Sequence, residues 1–152
     1  MSTNFKFQPI PRERFEPALN DNEGDAIWVQ ADLSPGFPCR VSLQDAQVGE
    51  KVLALSYCHH DVASPYRASG PIFIRASAET AQPGINEIPE MFLHRELSVR
   101  GYDSDAMMIA AAVTPGSSLR QIIQDIFDNP AVEYLHLHNA GPGCFNCAVV
   151  RA

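Results

Sequence analysis

The residues of this chain that are best suited to chemistry concentrate in one short stretch, residues 134–147. This stretch holds two of the five histidines and two of the four cysteines, and its pattern predicts a strand, a tight turn and a second strand. On the first strand His136 and His138 point to the same face, because side chains alternate with a period of two. Two histidines in this spacing can bind one metal ion, and Cys144, Cys147 or Cys39 could complete a tetrahedral zinc site.

Other features of the stretch argue against a metal site. Cys147 is followed by Ala148-Val-Val, which continues a strand, whereas a zinc knuckle usually turns on glycine at that point. The chain also has no second CxxC pair and no HExxH motif. We therefore predict no metal ligands and no cofactor.

Two cysteines lie where a thiol could be reactive. Cys39 neighbours Arg40 in a loop stiffened by two prolines, and an adjacent cation stabilises a thiolate. Cys144 follows Gly-Pro-Gly, with His138 nearby in sequence as a base and Asn139 as an orienting group. The candidate catalytic residues are Cys39, His138 and Cys144. Against this, cysteines are often small buried apolar residues, and sequence neighbours on a regular strand face opposite sides.

Arginine dominates the basic residues, since Lys6 and Lys51 are the only lysines among eleven basic side chains. Its planar fork suits bidentate contacts with carboxylate or phosphate. We therefore predict a site for a small anionic ligand, with these candidate ligand-binding residues: Arg40, Tyr66, Arg67, Arg75 and Asn139. Acids such as Asp45, Glu50 and Asp61 could equally neutralise the arginines in structural ion pairs. The sequence leaves both interpretations open.

The size and charge of the chain limit the classes of function. Its 152 residues fit one domain, residues 1–152, with a real hydrophobic core. The formal net charge of −7 argues against a nucleic acid or an anionic membrane surface as the main partner. No run approaches the roughly 18 apolar residues of a membrane span, and the first residues lack a signal-peptide pattern. We therefore expect a cytoplasmic protein with free cysteines.

The apolar pattern predicts one clear helix among many strands. The helix covers residues 118–128, and five residues form its apolar stripe: Leu119, Ile122, Ile123, Ile126 and Phe127. Strands are expected at 4–8, 27–31, 51–58, 71–76, 94–103, 106–114, 132–138 and 144–150. The strands flanking the helix can form a right-handed crossover. We predict a single α+β domain: a mixed, mostly antiparallel sheet, one long helix (118–128) and short helices.

Several segments form a recognisable pattern in this order: Pro-Gly-Phe-Pro-Cys-Arg at 35–40, Ser-Pro-Tyr-Arg-Ala-Ser-Gly-Pro-Ile-Phe-Ile-Arg at 64–75, His-Asn-Ala at 138–140 and Gly-Cys-Phe at 143–145. Shorter segments of the same pattern fall at 45–46, 49–50 and 102–103. Together they resemble the DUF1203 family of bacterial proteins of unknown function. The resemblance implies a shortlist for the site: Cys39, Arg40, Tyr66, Arg67, Arg75, His138, Asn139 and Cys144. It does not clearly include Cys58, His59, His60, His136 or Cys147.

Two hypotheses of function follow from these residues. In the first, loops 35–40, 59–70 and 138–144 meet to form a small-molecule site that binds an anionic ligand or performs thiol and histidine chemistry. In the second, the protein is a non-catalytic structural or interaction module, with arginine ion pairs, buried cysteines and a homo-oligomeric assembly. Whether the protein is an enzyme is left open.

Overall fold

The computed structural model describes residues 2–21 and 24–152. Eight strands are present: β1 Phe5–Gln8, β2 Ile27–Gln30, β3 Lys51–His60, β4 Ala68–Arg75, β5 Glu96–Tyr102, β6 Met108–Pro115, β7 Tyr134–Asn139 and β8 Phe145–Arg151. Two α-helices accompany them, α1 Glu16–Asp21 and α2 Leu119–Phe127. Three short 3₁₀ turns span Arg12–Phe15, Glu90–Phe92 and Gly116–Ser118.

The strands form two antiparallel sheets. A five-stranded sheet has the order β1-β8-β7-β5-β6, and a three-stranded sheet has the order β2-β3-β4. Every pair of neighbouring strands in these sheets is antiparallel. The predicted fold, an α+β domain on one mixed sheet, is therefore wrong. Which strands pair depends on contacts between distant residues, and these are not encoded in the local apolar pattern that identified the strands.

Helix α2 is shorter than predicted, and the expectation of one long helix is also wrong. It has nine residues, Leu119–Phe127, instead of the predicted 118–128. Ser118 belongs to the preceding 3₁₀ turn and makes no capping bond with its side chain. The turn is held by a 2.7 Å hydrogen bond from the Gly116 N–H to the Arg95 carbonyl. No helix in residues 2–21 or 24–152 is both long and apolar enough to cross a membrane.

The predicted apolar stripe of α2 does cover one face of the five-stranded sheet. Leu119, Ile123 and Phe127 are fully buried and belong to the main core. The sheet contributes its alternate side chains to the same core, from β5 and β7: Leu97, Val99, Leu135 and Leu137. Helix α2 connects β6 to β7, which are parallel to each other because both run antiparallel to β5.

The three-stranded sheet packs against the other face of the five-stranded sheet. A second core between them joins β8, β4 and the loop before Val41, with Phe145, Ile72 and Cys39 among its buried residues. Because strands alternate, β7 sends Leu135 and Leu137 towards α2, and its histidines towards the three-stranded sheet. This face of β7 holds the candidate site.

Gly116 provides a test of the packing at the start of α2. A Cβ at this position would collide with the carbonyl oxygen of Phe92, a backbone atom that cannot move alone. We expect Gly116→Ala to lower the free energy of unfolding by about 1–3 kcal/mol, the usual cost of overpacking. Urea denaturation measures this change. Gly70→Ala is the matched control, because a Cβ there meets nothing within 4 Å. Equal stability of the two variants would contradict the prediction.

Candidate functional site

Arg40 lies at the centre of the candidate site and is completely buried. Its Nε donates a 2.7 Å hydrogen bond to the carbonyl of Phe145, and its Nη1 donates to the carbonyl of Pro38. Its Nη2 has no hydrogen-bond partner, and no carboxylate pairs with the guanidinium among the residues that the structure describes. A buried cation without an anion is costly, so this guanidinium favours negative charge on whatever lies beside it.

The neighbour of this guanidinium is the thiol of Cys144. Burial lowers the pKa of Arg40, and the nearby thiols of Cys144 and Cys39 act in the opposite direction. Asn139 Nδ2 donates to the sulfur of Cys144 at 3.1 Å, while Asn146 Nδ2 donates to Asn139 Oδ1. The half-buried Cys144 sulfur therefore lies beside one cation and accepts one oriented amide donor.

The turn between β7 and β8 fixes this arrangement. The Asn139 N–H donates to the Cys144 carbonyl at 2.9 Å, and the Gly143 N–H donates to the Asn139 carbonyl at 2.8 Å. Gly143 has a φ of +83°, a left-handed conformation that glycine adopts without strain. Sequence reasoning placed Asn139 and His138 on opposite sides of a regular strand. The register shift after Leu137 and the turn nevertheless bring both residues to the segment that carries Cys144.

His138 is held next to this turn as a neutral imidazole. Its Nδ1 donates to the Gly143 carbonyl at 2.9 Å, and its buried Nε2 has no partner. Burial lowers the pKa of His138 to about 4; the bond to Gly143 partly opposes this, and the charges of Arg100, His59 and Arg40 reinforce it. At neutral pH the free Nε2 therefore carries a lone pair that can accept a proton.

The sequence predicted that His136 and His138 share a face, but not that His59 and His60 of β3 lie against them. His59 lies 5.1 Å from His138 and 6.1 Å from His136 between ring centroids, and His60 lies 4.8 Å from His136. Burial is the main cause that lowers the pKa of His59 to about 4 and that of His136 to about 3. Only the alternation on β7 was visible in the sequence; the contact with β3 depends on how the two sheets pack.

No group of three or more histidine, cysteine or acidic side chains is arranged to hold a metal ion in the described part of the chain. Both ring nitrogens of His60 form hydrogen bonds with tyrosines. Its Nδ1 donates to the Tyr66 carbonyl at 2.8 Å, and its Nε2 accepts from the Tyr134 hydroxyl at 2.6 Å.

The other predicted thiol, Cys39, has a structural environment. It is fully buried, and its sulfur accepts 3.4 Å hydrogen bonds from the backbone N–H groups of Ser42 and Arg75. Cys147 is also buried, and burial raises its pKa to about 12. All four cysteines are free thiols.

Two predicted ligand-binding arginines lie elsewhere and are ion-paired. Arg75 donates to Glu50 at 3.0 Å, and also to Ser42 and Gln44, on a polar groove of about 990 Å³. Arg67 pairs with Asp61 at 3.1 Å on the surface. The structure therefore brings Arg40, His138, Asn139 and Cys144 together, but not Tyr66, Arg67 or Arg75. The predicted loop 59–70 is shorter, because residues 59–60 and 68–70 belong to β3 and β4.

A further arginine, which the sequence did not single out, occupies the rim of the site. Arg95 forms a partly buried ion pair with Asp45, whose carboxylate also contacts His94 Nε2 at 3.2 Å. Asp45 thus forms its ion pair with Arg95, rather than with the arginines considered in the sequence.

A small cavity of about 380 Å³ opens beside Asn139. Its lining includes Pro35, Gly36, Pro38, Arg95 and Ala140.

Comparison with known proteins identifies one family. The family model described as "Protein of unknown function (DUF1203)" matches residues 36–151, which include every candidate residue of the site. No curated protein and no solved structure matches the chain.

The buried histidines predict a loss of stability in mild acid. Their pKa values are lowered in the folded protein, so below about pH 6.5 the unfolded chain binds more protons than the folded chain. The free energy of unfolding therefore decreases as the pH is lowered. His136 alone should account for about 1–2 kcal/mol between pH 7 and pH 5. Urea denaturation at several pH values measures the slope. His136→Phe should reduce it, whereas His94→Gln, at an exposed position, should not. A flat profile for the wild-type protein would contradict this.

Proposed function

The chain belongs to the DUF1203 family of proteins of unknown function, and we propose that in this member Cys144 is the reactive thiolate of a small-molecule site. The observation that carries the proposal is the fully buried guanidinium of Arg40, which has no carboxylate partner in the described residues. A buried charge is stable only when it is paired or hydrogen-bonded. The Cys144 sulfur, once ionised, supplies the missing negative charge.

Asn139 and Asn146 have a supporting role in this proposal. The amide of Asn139 donates to the sulfur at 3.1 Å, and Asn146 fixes the orientation of that amide by donating to its oxygen. A hydrogen bond to an ionised acceptor is stronger than one to a neutral acceptor, so this donor favours the thiolate over the thiol. Both asparagines are buried, which keeps their amides from exchanging these hydrogen bonds with bulk water.

The chemistry expected of such a thiolate is nucleophilic. The sulfur donates its electron pair to an electrophilic carbon of the ligand, a C–S bond forms, and the leaving group departs with the electron pair of the bond that breaks. The thiol proton passes to solvent, because the described hydrogen bonds do not join His138 to the Cys144 sulfur and burial lowers the pKa of His138 to about 4. The exposed turn residues before Cys144 and the cavity beside Asn139 offer the ligand a route to the site.

A second candidate function is a non-catalytic interaction module that forms homo-oligomers. It is favoured by the ion pairs of Arg67 and Arg75, by the burial of Cys39, and by the uncharged edge strand β6. Strand β6 is the outer strand of the five-stranded sheet, and its residues Met108–Pro115 include no charged side chain. Charged residues normally protect such edges from pairing with another strand. A monomer at all concentrations in light scattering would remove this candidate.

Alkylation of the folded protein tests the thiolate. We expect iodoacetamide to label Cys144 at pH 7 at least about tenfold faster than Cys58, which is comparably exposed but has no cation or amide donor described at its sulfur. Cys39 and Cys147 should stay unlabelled until the protein is denatured, because both are buried. Peptide mass spectrometry gives the rate at each position.

Two variants separate a thiolate from a merely exposed thiol. Asn139→Asp keeps the shape but replaces the amide donor with a carboxylate, and should slow labelling of Cys144 about tenfold or more. Arg40→Lys keeps a positive charge and should slow it less than Arg40→Gln. The proposal fails if Cys144 reacts no faster than Cys58, or if Asn139→Asp leaves its rate unchanged.

A further inference from the structure

One face of the five-stranded sheet is covered over only half of its width. The strand register places four residues in a row across β6, β5, β7 and β8, and a second row lies beside it. The first row consists of Ala111, Arg100, His136 and Ala148; the second consists of Val113, Ser98, His138 and Phe145. Residues in one row point to the same face, so both rows face the three-stranded sheet.

The three-stranded sheet covers the β7–β8 half of these rows. His59 of β3 stacks on Phe145 with ring centroids 4.9 Å apart, and His136 and His138 are buried beneath it. The β5–β6 half is different, since Ser98 and Arg100 are only half-buried and Ala111 is exposed. Val113 is 69% exposed. We call this open half of the face, formed by Ser98, Arg100, Ala111 and Val113, the shelf. The His59 ring borders it on the covered side.

Arg100 stands at the centre of this shelf. Its Nε donates to the hydroxyl of Ser98 at 3.2 Å, and no described carboxylate forms an ion pair with it. Ser98 accepts this bond, so its own hydroxyl hydrogen remains free to donate. The nearest acid on the same face of β5 is Glu96, four residues away, or about 13 Å along the strand.

The charge around the shelf suits an anion and not a cation. Arg100 lies directly across from His136 in the register of β5 and β7, and its charge adds to burial in lowering the pKa of His59, His136 and His138. The same charge would repel a metal cation. Tyr102 closes one end of the shelf, and the hydroxyl of Ser64 fastens the β3–β4 loop there by donating to the Ala106 carbonyl at 2.9 Å.

We propose that this shelf binds a small carboxylate ligand with a compact apolar body. The carboxylate pairs with the guanidinium of Arg100 and accepts the hydroxyl of Ser98, which together provide a bidentate cation and a neutral donor. The apolar body lies over Ala111 and Val113, which have no other cover, and against the His59 ring. This site does not rest on the proposed thiolate site, because the described hydrogen bond of the Cys144 sulfur comes from Asn139 and from none of these residues.

The experiment is a titration of the full chain with benzoate, followed by NMR of the histidine ring signals. Benzyl alcohol is the matched neutral probe. We expect benzoate to bind with a Kd on the order of millimolar, and to shift the His59 and His138 signals. Benzyl alcohol should bind at least about tenfold more weakly, since it cannot pair with the guanidinium. Equal binding of the two probes, or no shift of either histidine, would overturn the proposal.

Substitutions test which side chains contribute to the affinity for benzoate. Arg100→Gln should weaken benzoate binding at least about tenfold, and Arg120→Gln, an exposed arginine of α2 on the opposite side of the sheet, should leave it unchanged. Val113→Gln should weaken benzoate binding, because a polar side chain then replaces the apolar surface under the ring. Wild-type affinity in Arg100→Gln would overturn the proposal. If that variant does not fold, the histidine shifts in the wild-type protein still decide the question.

Discussion

The hydrogen bonds of the buried Arg40, from both its side chain and its backbone, join several separate parts of this structure. Its guanidinium donates to carbonyls of Phe145, at the start of β8, and Pro38. Its N–H donates to the Phe73 carbonyl in β4 at 3.1 Å, and its carbonyl accepts from the Ile10 N–H at 3.1 Å. One residue thus ties the loop 35–40 to both sheets. Because these bonds keep the cation buried, they also favour a negative charge next to the guanidinium, which we propose is the Cys144 sulfur.

Side chains of β7 alternate between the two faces of the sheet, so this one strand contributes to both the core and the candidate site. Leu135 and Leu137 fill the core under α2, while His136 and His138 face the three-stranded sheet. Neutral imidazoles fit this position, because their apolar ring faces pack against Phe145 and His59 without the cost of a buried charge. The polar chemistry is therefore confined to one side of a strand whose other side stabilises the fold.

The sequence predicted what depends on local spacing and failed on what depends on packing between strands. The stripe of α2 and the two faces of β7 follow from periods of 3.6 and two residues, and both are present. The grouping of Arg40 with Asn139 and Cys144 followed from family resemblance, since no spacing links residues about a hundred positions apart. The contact of His59 with β7 and the position of Arg100 needed the strand register, so neither was predicted.

The arginines of this chain divide according to how their charge is satisfied. Arg67, Arg75 and Arg95 pair with carboxylates. Four others are exposed to water or donate to neighbouring carbonyl and hydroxyl oxygens: Arg12, Arg14, Arg120 and Arg151. Arg40 and Arg100 remain, one fully buried and one half-buried, each beside His138. The chain has eighteen acids for eleven basic residues, so a shortage of carboxylates does not explain why no carboxylate among residues 2–21 and 24–152 pairs with these two. We propose that their charge instead serves groups beside them, the Cys144 sulfur at Arg40 and a carboxylate ligand at Arg100.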